Sequence, residues 1–154
     1  MIATIIRDMT KSVREMEPLR FLVDGAKGLA HPARLRLLGM LASGELCVCQ
    51  MTAVLELAPS TVSQHLSVLS RGGLVADRKE GKLVYYRLAD GEVATGMLPS
   101  VLELLATDGQ VQSDHAVVRR LRRVPVAELC AADLDLGALG VGGAAVSAAA
   151  GGDR

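Results

Sequence analysis

The strongest constraint on this chain is a change of period. Up to Arg71 the apolar residues recur at three- and four-residue steps, in short blocks cut by Pro and Gly. From Leu74 to Leu88 they form two β-prone runs around Lys79-Glu80-Gly81-Lys82. Several short helices followed by one hairpin fit a small, mainly helical domain. The spacing predicts a first helix over about 15–30, carrying Leu19, Leu22, Val23, Ala26, Leu29 and Ala30, with Gly25 and Gly28 permitting close approach of another helix. His31-Pro32 opens a second helix, with Gly44 as its stop, and Glu45 to Leu57 contains a third. Pro59 opens a fourth, ended by Gly72-Gly73, whose inward stripe is Val62, Leu66 and Leu69. Asp90 is expected to cap a fifth running to about Ala106, bent or divided by Pro99. A sixth is expected from Asp114 to Arg123.

The remaining composition narrows the class. Half of the 154 residues are hydrophobic, yet there are only two Tyr, one Phe and no Trp, so the core is built of Leu, Val, Ala and Met. No run of eighteen apolar residues exists to span a membrane, and the N-terminal residues lack the apolar stretch of a signal peptide. A cytoplasmic protein is expected, in which the three cysteines are reduced thiols suited to metal or redox chemistry. Four segments follow: an N-terminal arm over 1–14, a folded domain over 15–108, a helical extension over 109–136 containing Cys130, and a Gly/Ala-rich tail over 137–154 expected to be disordered.

Formal net charge is zero, but Ala58 to Leu88 carries five basic residues against two acidic ones. Helix, turn, helix, hairpin, helix is the order of a winged helix-turn-helix. A helix fits the major groove of duplex DNA, and small polar side chains near its N-terminus reach base edges. The outward set on the fourth helix is Ser60, Thr61, Ser63, Gln64, Ser67 and Arg71, with His65 near the boundary. Arg78, Lys79 and Lys82 near the hairpin tip suit backbone phosphates. Either feature alone reads as an ordinary solvated surface; together, in this order, they favour DNA.

Several motifs resemble the ArsR/SmtB metalloregulators. Leu29-Ala30-His31-Pro32-Ala33-Arg34-Leu35-Arg36-Leu37-Leu38 is similar to their opening signature, and Glu45-Leu46-Cys47-Val48-Cys49 to the arsenic-type metal box. Residues 61–69 are similar to their recognition helix, and 73–88 to their wing. The resemblance covers roughly 15–106. It implies a dimeric winged helix-turn-helix repressor, joined as a homodimer through its first and fifth helices and released from operator DNA by an inducer. A thiol-dependent enzyme using Cys47 is the weaker alternative, because the cysteines are spaced Cys-x-Cys and not Cys-x-x-Cys and no Ser-His-Asp set, Gly-rich phosphate loop or paired carboxylates stand out, so no enzymatic activity is expected. Ala58 departs from the family, which often has a Ser cap there, so a looser helix start is expected.

On the same resemblance, Cys47 and Cys49 are inducer ligands at a helix entrance, where thiolate is stabilised. Positions i and i+2 of a helix point about 200° apart. Both sulfurs therefore converge on one ion only through a non-helical entrance or an unwound first turn. Thiolates select soft ions, so As(III) is the expected inducer, with Sb(III), Cd(II), Pb(II) or thiol oxidation as alternatives. Arsenite prefers three sulfurs. Similar arsenic sensors often have a third Cys where this chain has Thr52, so Cys130 is left to supply it, from the same protomer or the other. A lone buried thiol behind Leu129 is the competing reading of Cys130. The fifth-helix zinc or nickel site of the family needs His, and residues 90–108 have none. His115 reads as a surface residue. Arg119-Arg120-Leu121-Arg122-Arg123 reads either as a solvated face offset by Glu128 and Asp133 or as extra phosphate contacts.

Overall fold

The computed structural model describes residue 2 and residues 18–133 and 135–141. The expected N-terminal arm and residues 142–154 of the tail lie outside them. The elements are α1 (Pro18–Leu29), α2 (Pro32–Leu41), β1 (Leu46–Cys47), α3 (Val48–Leu55), α4 (Pro59–Arg71), β2 (Val75–Glu80), β3 (Leu83–Leu88), α5 (Glu92–Leu105), α6 (Gly109–Leu121) and α7 (Val126–Ala131). Pro32 and Pro59 each open a helix, where the missing N–H costs nothing. His31 caps α2, its Nδ1 accepting from the Ala33 N–H at 3.1 Å. The core joins Leu37, Leu38 and Leu41 of α2 to Met51 and Leu55 of α3 and to the expected stripe of α4, Val62, Leu66 and Leu69.

The three strands form one antiparallel sheet in the order β1-β3-β2. Glu80 pairs with Leu83, leaving a two-residue turn whose first member, Gly81, has φ +60°. Only glycine takes that position without strain. β1 is an element that sequence reading missed. Its two residues pair with β3, Leu46 with Tyr86 and Cys47 with Tyr85, and two residues are too few to display a period.

Four expectations need correction. Gly91, not Asp90, is the N-cap of α5, and its backbone carbonyl receives the Thr95 N–H without any side-chain cap. α5 is also not divided at Pro99, which lies inside one continuous helix. α6 begins at Gly109, five residues before Asp114, because the Asp108 carboxylate accepts the N–H groups of Gln110 and Val111. α7 was not foreseen. The start of the Gly/Ala stretch is ordered: Leu136 and Leu139 pack on the core and Val141 is buried.

Glycines let α1 lie close to its neighbours, as its sequence suggested. A Cβ at Gly72 would sit 2.7 Å from the Asp24 carbonyl oxygen, and backbone cannot move aside. Gly72→Ala is therefore expected to destabilise the fold by about 1–3 kcal/mol, read as a lower urea midpoint.

Candidate nucleic-acid interface and thiol site

Burying Val62, Leu66 and Leu69 turns the opposite face of α4 outward. Ser60, Ser63, Gln64, Ser67 and Arg71 are exposed there, while Thr61 is half-buried. The Ala58 carbonyl accepts from Thr61 and Val62, so the helix start is closed by backbone with no side-chain cap. His65 turns away from this set. Its ring lies against His31 with centroids 4.4 Å apart, and its Nδ1 is 3.5 Å from Arg34 Nη1. Burial first, then the neighbouring charges of His31 and Arg34, hold its pKa below the usual imidazole value. His65 thus packs α4 onto the start of α2, as its place at the boundary of the outward face suggested.

Lys79 and Lys82 are exposed at the hairpin tip. Arg78 is not available as they are. Its Nη2 donates to Glu45 Oε1 at 2.6 Å, its Nε lies 2.9 Å from both Glu45 oxygens, and its Nη1 donates to Glu80 Oε2 at 2.8 Å. The guanidinium also stacks over Tyr85. These bonds raise the Arg78 pKa and lower that of Glu45. Arg78 fastens the wing to the segment leading into β1, so a phosphate would have to compete with these two carboxylates for it.

That segment carries the cysteines. Cys47 ends β1 and is the N-cap of α3, with extended backbone at φ −73°, ψ 148° and 1% exposure. Its N–H donates to Gln50 Oε1 at 2.9 Å. Cys49 follows in the first turn of α3. Of the two geometries open to a Cys-x-Cys pair, the chain uses the non-helical entrance. Cys130, 81 residues further on, sits on α7, which packs against α3, and its Sγ lies 2.7 Å from Cys49 Sγ in the same chain. Thus the extension folds back onto the cysteine box.

The Cys49 thiol is not poised as a thiolate. Burial, reinforced by the Cys130 hydrogen bond and by Cys47, pushes the Cys49 thiol up to about 12. Desolvation and sulfur neighbours here outweigh the helix N-terminus that was expected to lower it. Among the described residues no group of three or more His, Cys, Asp or Glu forms a ready cation cage.

Thr52 stands one turn after Cys49. It is 3% exposed, and its hydroxyl is the one buried side-chain polar atom without a partner among the described residues. Thr52→Val is therefore expected to leave stability unchanged or raise it by about 1 kcal/mol in urea unfolding.

The docking of α6 positions Cys130. Arg36 of α2 grips Asp114 of α6 through Nε–Oδ2 and Nη2–Oδ1 bonds, both 2.8 Å, and Gln110 donates to the same carboxylate. His115 donates from Nε2 to the Gly39 carbonyl at 2.6 Å, so it is a half-buried docking residue and not the surface residue expected.

Residues 31–77 match the profile described as "Bacterial regulatory protein, arsR family". The arsenic resistance regulator ArsR2 of Pseudomonas putida is 41% identical over 95 residues, 61% of this chain and 82% of that protein. This chain belongs to the ArsR family. An SmtB repressor homologue of Synechocystis is 38% identical over 57% of this ArsR-family chain and 67% of its own length. The arsenical resistance repressor of Escherichia coli is 44% identical over 41% of the chain, which spans only 55% of that relative. A solved homodimeric winged helix-turn-helix DNA-binding domain from Mycobacterium bovis superimposes with TM-score 0.52 at 34% identity, covering 60% of this chain and 84% of that one. The ArsR-family chain is thus a winged helix-turn-helix transcriptional regulator, with α4 as its recognition helix and β2–β3 as its wing.

Proposed function

We propose that this regulator is a homodimeric repressor that releases operator DNA when Cys47, Cys49 and Cys130 of one protomer take up As(III). The observation that carries this reading is the Cys49–Cys130 contact, which brings the only cysteine outside the box onto it. Arsenous acid and three thiols give a tris-thiolate and three waters, so protonated thiols are suitable reactants. Cys49 lies on the first helix of the helix-turn-helix, and Cys47 lies in the strand paired to β3 of the wing. Drawing the three sulfurs onto one ion strains both elements and lowers the population able to bind DNA. Residues 15–108 form the DNA-binding and dimerisation domain, and 109–136 form the extension that delivers Cys130.

Base edges are read by Ser60, Thr61, Ser63, Gln64 and Ser67, while Arg71, Lys79 and Lys82 meet phosphates. Dimerisation uses α1 and α5, where Leu19 and Leu104 are 75% and 73% exposed and Leu22 and Val23 are also uncovered. The test is fluorescence anisotropy of reduced protein on labelled duplex from upstream of its own gene, titrated with arsenite. Release is expected for wild type and not for Cys47→Ser or Cys49→Ser. A complex that ignores arsenite would sink the inducer assignment.

Cadmium is the competing ion, and a cadmium resistance regulator is among the relatives, 43% identical over 44% of this chain. The two differ in proton balance. Arsenite binding to neutral thiols releases no protons, whereas Cd(II) must displace one from each thiol. Arsenite affinity is expected to be flat between about pH 6 and 8, and cadmium affinity to rise at least about tenfold per unit. Titrations at three pH values check this. Thiol oxidation is a second reading that the same sulfur contact favours, since peroxide and two thiols give one disulfide and two waters. Release by peroxide, reversed by a dithiol, identifies it.

A further inference from the structure

We propose that the arginine-rich end of α6 is a second DNA contact, engaging phosphates that flank the stretch read by α4 and the wing. This rests on the DNA-binding reading above. Arg119, Arg120, Arg122 and Arg123 are all exposed within five residues, in a chain whose formal net charge is zero. The acids expected to offset them do not: among the described residues neither Glu128 nor Asp133 forms an ion pair with any of the four. The ion pairs present involve Arg20, Lys27, Arg36, Arg78 and Arg87.

Two of the arginines are held in place without being neutralised. Arg120 Nη1 donates to the Val141 carbonyl at 3.2 Å, and Arg122 Nη2 donates to the Ser43 carbonyl at 3.2 Å. A carbonyl fixes a guanidinium but leaves its full charge for another partner. Arg119, Arg120 and Arg123 line a shallow cleft of about 270 Å³ with Ala116 as its floor. Cations near a helix C-terminus also favour the helix, but that effect needs neither a shared cleft nor anchored side chains.

Position decides the partner. α6 rests on α2 and α3, so its arginines belong to the same body as the recognition helix. Arg122 reaches Ser43, two residues before Glu45, whose carboxylate grips Arg78 of the wing. β1 is the edge strand of the sheet. The charge is therefore tied, through Ser43, to the segment that enters the wing's sheet, and an exposed, unneutralised cluster on the body that carries the recognition helix suits the phosphates of DNA flanking the core site.

The test uses the full reduced chain and two duplexes: the shortest upstream fragment bound, and the same fragment extended at each end by about ten base pairs, one helical turn. The variant is Arg119→Gln/Arg123→Gln, which removes no hydrogen bond seen among the described residues. On the short duplex it should bind as wild type does. With two arginines lost from each protomer of the dimer, its salt slope on the long duplex should be shallower by about four. Wild-type affinity would then fall about 100-fold more than the variant's between about 50 and 200 mM salt. Arg119→Lys/Arg123→Lys should restore the slope, because a point charge suffices. Identical slopes on the long duplex, or an equal loss on both lengths, would overturn the proposal. Failure of wild type to bind either duplex would instead bring down the DNA-binding reading, and this inference with it.

Discussion

Cys130→Ser is expected to abolish arsenite-driven release while leaving DNA affinity unchanged. Cys130 lies on α7, outside the recognition helix and wing, so its loss leaves the DNA face intact. It removes one of three sulfurs, and weakening of arsenite binding by more than about 100-fold is expected, since changes even behind a ligand cost 10–100-fold. A mixing experiment separates the two ways of building the site. Cys49 and Cys130 meet within one chain. Heterodimers of Cys49→Ser and Cys130→Ser subunits should therefore hold no complete site and remain on DNA. If mixing restored the response, the sulfurs would be shared between protomers.

Asp114→Ala is expected to lower stability by about 3 kcal/mol, measured by urea unfolding. Its carboxylate is 3% exposed and takes two bonds from Arg36, which is itself only 26% exposed. Removal leaves a guanidinium largely buried with the Val54 carbonyl as its remaining partner. The same substitution should blunt the arsenite response with all three cysteines present, because this ion pair holds α6 on α2 and α6 carries α7 after it. Replacing Arg36 and Asp114 together by Met and Leu should recover much of the stability, since the unpaired charge is then gone. A loss no larger than that of an exposed ion pair would show that α6 is not anchored here.

The winged helix was legible because its punctuation is chemical. Pro32 and Pro59 mark helix starts, and the Gly81 turn separates two β-prone runs. What escaped lacks local signals. β1 is defined by pairing with β3, and nothing in the sequence singles out Asp108, whose carboxylate caps α6 ahead of the start expected at Asp114. Within the site, Ser60, Ser63, Gln64, Lys79 and Lys82 are exposed as the pattern suggested. The partners of Arg78 and His65 were not legible because residue type does not reveal a partner: Glu45 stands 33 positions before Arg78, and His31 faces His65 only once α2 and α4 pack together. The Cys49–Cys130 contact was the hardest to foresee, since it depends on an extension docked through Asp114, read in sequence only as a helix start, and His115, read as surface. The helix N-terminus suggested thiolates, and only the packing around Cys49 shows why the thiol stays protonated.

The most direct measurement is X-ray absorption at the arsenic edge, on wild-type protein and on Cys130→Ser, each loaded with one arsenite per protomer. Three sulfurs around arsenic in the wild type, falling to two sulfurs and an oxygen in the variant, are expected. Three sulfurs retained without Cys130, or only two in the wild type, would contradict a site built by folding the extension onto the cysteine box.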